Sequence, residues 1–245
     1  MLRSILLSSL LVVGCTDTEE AARVELPVTT VATAFPPATT DLGYLVSISE
    51  MQAAVSAIQF TIKGEMHQEL VLPEGTLAHP GHYAGGEVTG ELPGDFVLTW
   101  NGEPHATLGD ATLIVGDYQG VNFGLRAATA SDNAPALTGH AMHLAGTVAK
   151  DGTTKPFDLL IDVEVDTSVV GALFEDVITE TSTETLAIAF FPTDPFESDT
   201  AFDAVDFFAL PTTAAGAIEI RPGSATHNLI RRVITTHDYY GVSKI

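Results

Sequence analysis

Eight histidines, His67, His79, His82, His105, His140, His143, His227 and His237, stand in a chain of 245 residues that has only 10 lysines and arginines. A chain so poor in basic residues is not using histidine merely as another cation. Neutral imidazole is the commonest nitrogen ligand of zinc, copper and nickel. Two pairs are close enough in sequence to act together. In His79-Pro80-Gly81-His82 a Pro-Gly turn brings the chain round, so both rings can point the same way. His140-Ala141-Met142-His143 reads as strand, with His140 and Met142 on one face and His143 on the other. A thioether beside imidazole suits copper better than zinc. Met142 also shares parity with Leu144 and Val148, which marks that face as core. The expected site is His79 and His82 completed by His140 or His143, holding copper or zinc, with His67, His105 and His237 in reserve. The spacing matches no H-E-x-x-H or paired-cysteine zinc signature. For any one of these histidines the plain alternative is a surface residue or a hydrogen-bonded core residue.

Asp194, Glu197, Asp199, Asp203 and Asp206 offer hard oxygens for calcium, but they lack the spacing of an EF-hand loop. A solvated acidic loop is the expectation there. No G-x-S-x-G elbow, Walker loop or dinucleotide fingerprint occurs, so the expectation is a protein that is not an enzyme. Trp100 is the only tryptophan, which argues against a sugar-stacking platform. Tyr239-Tyr240 reads as terminal packing.

The elements that must carry these residues are mostly strands. Ile58, Phe60 and Ile62 alternate with Gln59, Thr61 and Lys63, and Val121, Phe123 and Leu125 alternate with Asn122, Gly124 and Arg126. From Phe157 to Asp166 the apolar set Phe157, Leu159, Ile161, Val163 and Val165 faces four acids, and Leu186, Ile188 and Phe190 repeat the theme. Strict alternation is the mark of half-buried strands. Asp151-Gly152 predicts a hairpin between a strand near His143–Lys150 and Phe157–Asp166, and Gly116-Asp117 predicts a turn between Ala111–Val115 and Tyr118–Leu125. Ser47–Val55 reads as a short helical turn or as strand. Ser224–Thr236 predicts a helix capped by Ser224. The expected fold is all-β, an antiparallel β-sandwich of Ig-like or jelly-roll-like type with a short C-terminal helix.

The amino end reads MLRSILLSSLLVVGC. Arg3 is a basic n-region and Ile5–Val13 an apolar stretch too short to span ~30 Å of hydrocarbon. Val12-Val13-Gly14-Cys15 resembles the bacterial lipobox, and Cys15 is the only cysteine. The resemblance implies cleavage after Gly14, acylation of Cys15 and anchorage to the bilayer, with Thr16 in the next position implying the outer membrane. The expected organisation is a signal peptide over 1–14, a lipidated cysteine and tether over 15–41, rich in Thr, Ala and Pro, and a β-sandwich domain over 42–245. Within the tether, Val24–Ala34 is β-branched enough to form an edge strand instead. The formal net charge of −22 becomes one unit more negative when Arg3 leaves with the leader. Such a surface repels phosphate backbones, so nucleic acid is excluded as a partner, whereas cations and basic envelope proteins are favoured. HPGHYAGGEVTGELPG (79–94), GDYQGVNFGL (116–125) and LTGHAMHLAGT (137–147) loosely resemble histidine-containing exported lipoproteins. The middle string is faintly similar to the copper-associated MbnP-like surface proteins, whose tryptophans near the metal have no counterpart here. The resemblance implies a copper-binding role at the cell surface or in the periplasm.

Overall fold

The structure, a computed structural model, describes residues 21–62 and 87–245. The described residues form β1 (Arg23–Thr30), β2 (Ala38–Thr39), β3 (Leu45–Ile62), β4 (Glu87–Trp100), β5 (Gly109–Ile114) and β6 (Gly116–Leu125). They continue as β7 (Met142–Lys150), β8 (Thr153–Ile161), β9 (Ser168–Ile178), β10 (Leu186–Phe190) and β11 (Ile218–Ile220). The helix α1 (Ala225–Ile234) and β12 (Tyr240–Lys244) follow. The all-β expectation holds, and no helix among the described residues is long and apolar enough to cross a membrane.

β3 organises the molecule. Its 18 residues keep one partner, β4, along Met51–Ile62, and change partner on the other edge. Leu45–Ala53 pair with β7, and Val55–Ile62 pair with β6. The change falls at Ala54, and three residues further on Ala57 adopts φ 47° inside a register shift between Ser56 and Ile58. A left-handed residue in a bulge bends the strand and lets one element serve two sheets. The ladders then run from β3 through β4, β5, β1, β10, β12, β9 and β6 back to β3. These eight strands form a closed hydrogen-bonded ring, and β7, β8 and β11 branch from the first half of β3.

The alternating apolar positions point into one large core. Phe60 and Phe174 pack edge to face at 5.9 Å, and Phe123 meets Tyr240 at 5.3 Å. Buried aromatic residues with polar tips find partners: Trp100 Nε1 donates to Ile188 O at 2.9 Å and Tyr240 Oη to Ile234 O at 2.8 Å. Tyr239 and Tyr240 are buried, as terminal packing requires. In α1, His227, Ile230 and Ile234 face inward at helical spacing, and Ser224 Oγ accepts the His227 N–H at 3.0 Å.

Four expectations are corrected. The pairing is mixed rather than antiparallel throughout, because β1–β10, β11–β8 and β12–β9 run parallel. This departs from an Ig-like or jelly-roll arrangement, and alternation could not foresee it, since it fixes the face of a residue and not the direction of its neighbour. The tether assigned through residue 41 includes β1, a strand between β5 and β10 with Leu26 and Val28 fully buried. Pro27 is tolerated there because pairing with β10 begins only at Val28. Residues 38–44 are also docked: Asp41 N–H donates to Asp203 Oδ1 at 2.9 Å, and Ala204 N–H to Asp41 Oδ1 at 2.8 Å. β8 stops at Ile161, leaving Val165 92% exposed beyond it. The chain does bend at Val115, but β5 and β6 do not pair; they pass to different neighbours in the ring.

Candidate functional site

Asp151 and Gly152 have φ of 50° and 77°, the left-handed pair that a two-residue hairpin requires. The turn fixes the β7–β8 register from Lys150 opposite Thr153 to Met142 opposite Ile161, and so sets His143 against Leu160. Leu160 has Asp158 as its neighbour on the same face. His143 Nε2 reaches Asp158 Oδ2 at 3.0 Å, and Arg221, just beyond β11, holds Oδ1 at 2.6 Å. Arg221 Nη1 also donates to Asp158 O at 2.9 Å, and Nη2 pairs with Glu219 at 3.0 Å. Burial disfavours ionisation of Asp158, but the His143 hydrogen bond and the Arg221 charge outweigh it and leave the carboxyl below its ordinary pKa. His143 is only 7% exposed. Its Nδ1 has no hydrogen-bond partner, nor has Oε1 of Gln52, its register partner in β3.

A second pair forms where β7 begins. His140 Nδ1 lies 2.6 Å from Asp162 Oδ1, with the imidazole 27% exposed. The Asp162 N–H donates to His227 Nε2 at 3.1 Å. A backbone amide can only donate, so His227 carries its proton on Nδ1 and gives it to Asn228 Oδ1, 3.0 Å away. That bond turns the Asn228 NH₂ group away from His227. His140, Asp162, His227 and Asn228 are thus one polar chain from the β7–β8 hairpin to α1.

Of the expected site residues, the lipidation site Cys15 and the metal ligands His79 and His82 lie outside the described residues, as does His67. Among the described residues no three His, Cys, Asp or Glu side chains are grouped to hold one metal ion. His140 and His143 are each engaged by a different carboxylate. Met142 is buried with its sulfur 4.0 Å from Tyr240 Oη, so the thioether belongs to the core and does not join His140. His105 Nε2 contacts Asn101 Oδ1 at 3.0 Å, and His237 Nε2 pairs with Asp238 at 3.2 Å.

The acidic loop is occupied by its own chain. Asp194 Oδ1 accepts the Phe196 and Glu197 N–H groups, Asp203 accepts the N–H and hydroxyl of Thr200, and Asp206 accepts the Tyr44 hydroxyl. These carboxylates cap turns and fasten the loop to residues 41–44. Burial and the nearby Asp194, Asp199, Asp203 and Asp238 charges push the Tyr239 hydroxyl far up from its ordinary pKa, which keeps it neutral.

Asp158, Asp162 and Arg221 are the residues that reading the histidines alone misses. The hairpin itself held the signal for the two aspartates. Once Lys150 is set opposite Thr153, counting back seven residues on each strand sets His143 opposite Leu160, flanked by Asp158 and Asp162 on the same face. Arg221 carried no such signal, because β11 joins β8 in parallel from 57 residues further on. Comparison with known proteins gave no match to a family model, to a curated protein or to a solved structure.

Proposed function

We propose that the chain is a non-enzymatic envelope lipoprotein, anchored to the outer membrane through acylated Cys15, whose β domain binds copper or zinc through histidines. One observation carries the metal reading: Asp162 engages His140 on Nδ1 and leaves Nε2 free in a partly exposed ring. A carboxylate behind an imidazole fixes its orientation and raises its basicity, the arrangement found behind metal-bound histidines. His140 suits the role better than His143, whose free nitrogen is buried beside Gln52. His79 and His82 would supply the other ligands.

Chain reach bears on that set. Residues 63–86 connect Ile62 to Glu87, whereas Ala54, bonded to Ala141 beside His140, lies eight residues back along β3. That is about 26 Å of strand contour. His82 is five residues from Glu87, at most about 18 Å of chain. On backbone alone His82 falls short of that span and depends on the reach of the two side chains, whereas His79, eight residues from Glu87 and at most about 29 Å of chain, covers it.

The test is metal content and affinity of residues 16–245, which retain β1, purified untagged from copper- and zinc-supplemented medium. Near-stoichiometric metal, lost in His140→Ala and in His79→Ala/His82→Ala, is the expected result. Metal at background in the wild type overturns it. A second reading, an acidic interaction module for a basic envelope partner without metal, is favoured by the fact that His140 and His143 are each already engaged by a carboxylate of the chain itself. Its signature is partner capture that weakens with salt, with no metal retained.

A further inference from the structure

We infer that the cleft between α1 and the β8–β9 connection is a binding site for a phosphate-type oxyanion. It has a volume of about 420 Å³ and is walled by Val163, Glu164 and Thr167 on one side. On the other side stand Asn228, Arg231, Arg232 and Thr235, which are i, i+3, i+4 and i+7 on one face of α1. The opposite face of the helix is buried, so this is the face that α1 presents outward.

Three features give the cleft its sign. First, Asn228 Oδ1 is committed to His227 Nδ1, so its amide offers only N–H donors. Second, the Arg231 guanidinium is under-used: Nη1 meets Glu164 at 3.3 Å, and Nε is buried without a partner. Third, Arg232 is exposed at the next position, so two of the chain's 10 basic residues are adjacent here against 32 acidic ones. Cations in the last turn of a helix complement its dipole. The dipole does not account for a fixed amide donor one turn earlier, nor for a guanidinium in the cleft wall whose one carboxylate contact is a single Nη1 bond to the exposed Glu164. Two guanidinium groups and an amide are the donor set that a tetrahedral oxyanion takes, with bidentate bonds to arginine. Glu164, 84% exposed, is the internal anion that occupies Arg231 and that a ligand displaces. The site shares no residue with the proposed metal ligands and does not depend on them.

The source of the phosphate, free or carried on a lipid headgroup, is what the experiment separates. The full-length chain in non-ionic detergent is titrated with inorganic phosphate while the arginine Nε–H signals are followed by nuclear magnetic resonance. A parallel arm measures co-sedimentation with phosphatidylcholine vesicles with and without phosphatidic acid. Saturable shifts are expected in the wild type, tighter binding in Glu164→Gln, and about tenfold weaker binding in Arg232→Gln. Phosphate binding without vesicle binding assigns a free phosphate or phosphoester, and vesicle binding lost in Arg232→Gln assigns a headgroup. Arg232 is exposed, so its variant carries the test even if Arg231→Gln fails to fold. No saturable binding of phosphate or vesicles, or binding unchanged in Arg232→Gln and Asn228→Ala, overturns the site.

Discussion

Arg126 and Asp132 fix the long excursion between β6 and β7 with two short bonds. Nη2 reaches Oδ1 at 2.6 Å and Nη1 reaches Oδ2 at 2.9 Å, while Asp132 also accepts the Thr129 N–H at 2.6 Å. The clasp holds residues 126–141 over a small cluster in which Ala54 and Val97 of the sheet meet Ala128, Ala134 and Leu137. The Arg126 hydrogen bond, with the Thr129 N–H, holds the Asp132 carboxyl well below the usual carboxylate range. A folded pKa below the unfolded one gives stability that is present above the unfolded value and lost as the pH falls through the folded value. The urea midpoint of the wild type should therefore fall as the pH drops below about 4, with Asp132 contributing to the loss. Asp132→Asn should lower stability at neutral pH by about 2 kcal/mol and flatten that acid limb. An unchanged acid limb in the variant would show that Asp132 is not the group being titrated. At this scale the histidines were legible as chemistry, but their partners were not, because an imidazole's partner is set by strand register and not by its own sequence neighbours.

Elements that end on local signals were the legible ones. The Ser224 cap, the Asp151-Gly152 turn and the alternation in β3, β6, β7 and β10 all appear where their residues indicated. Ser224→Ala should cost about 1 kcal/mol, read as a lowered denaturation midpoint. The overrun of β8 is instructive, since Val163 and Val165 continue the alternation with no adjacent strand, and while Val163 still packs partly against the core, Val165 is left exposed. Period two shows that a segment could be a strand, and a neighbouring strand decides whether it is one. Gly146 shows the same dependence on a neighbour. A Cβ there would lie 2.1 Å from Ser47 O, across the register shift between Ile48 and Glu50. Gly146→Ala should destabilise by about 3 kcal/mol or more, and an unchanged midpoint would mean that the bulge moves freely.

At the scale of the whole molecule, the ring is what the sequence concealed. Closure depends on three short junctions, the parallel pairs β1 beside β10 and β12 beside β9 and the antiparallel pair β4 beside β5, each too short to leave a periodic trace. The position of β1 makes a prediction about chain length. A chain beginning at Ala22 should melt where the full chain does, whereas one beginning at Val31 loses β1, opens the ladder between β5 and β10, and should fail to unfold cooperatively. Equal melting curves for the two would return residues 23–30 to the role of a tether. Ring closure also sets a schedule. β1 can meet β5 once residue 114 has emerged, but its other edge waits for β10 at 186–190, and β10 in turn waits for β12 at 240–244. At a synthesis rate of about 5–20 residues per second, that second partner arrives roughly 10 to 30 s after the first strand. Until then the nascent chain cannot complete its native ladder, however fast each strand forms.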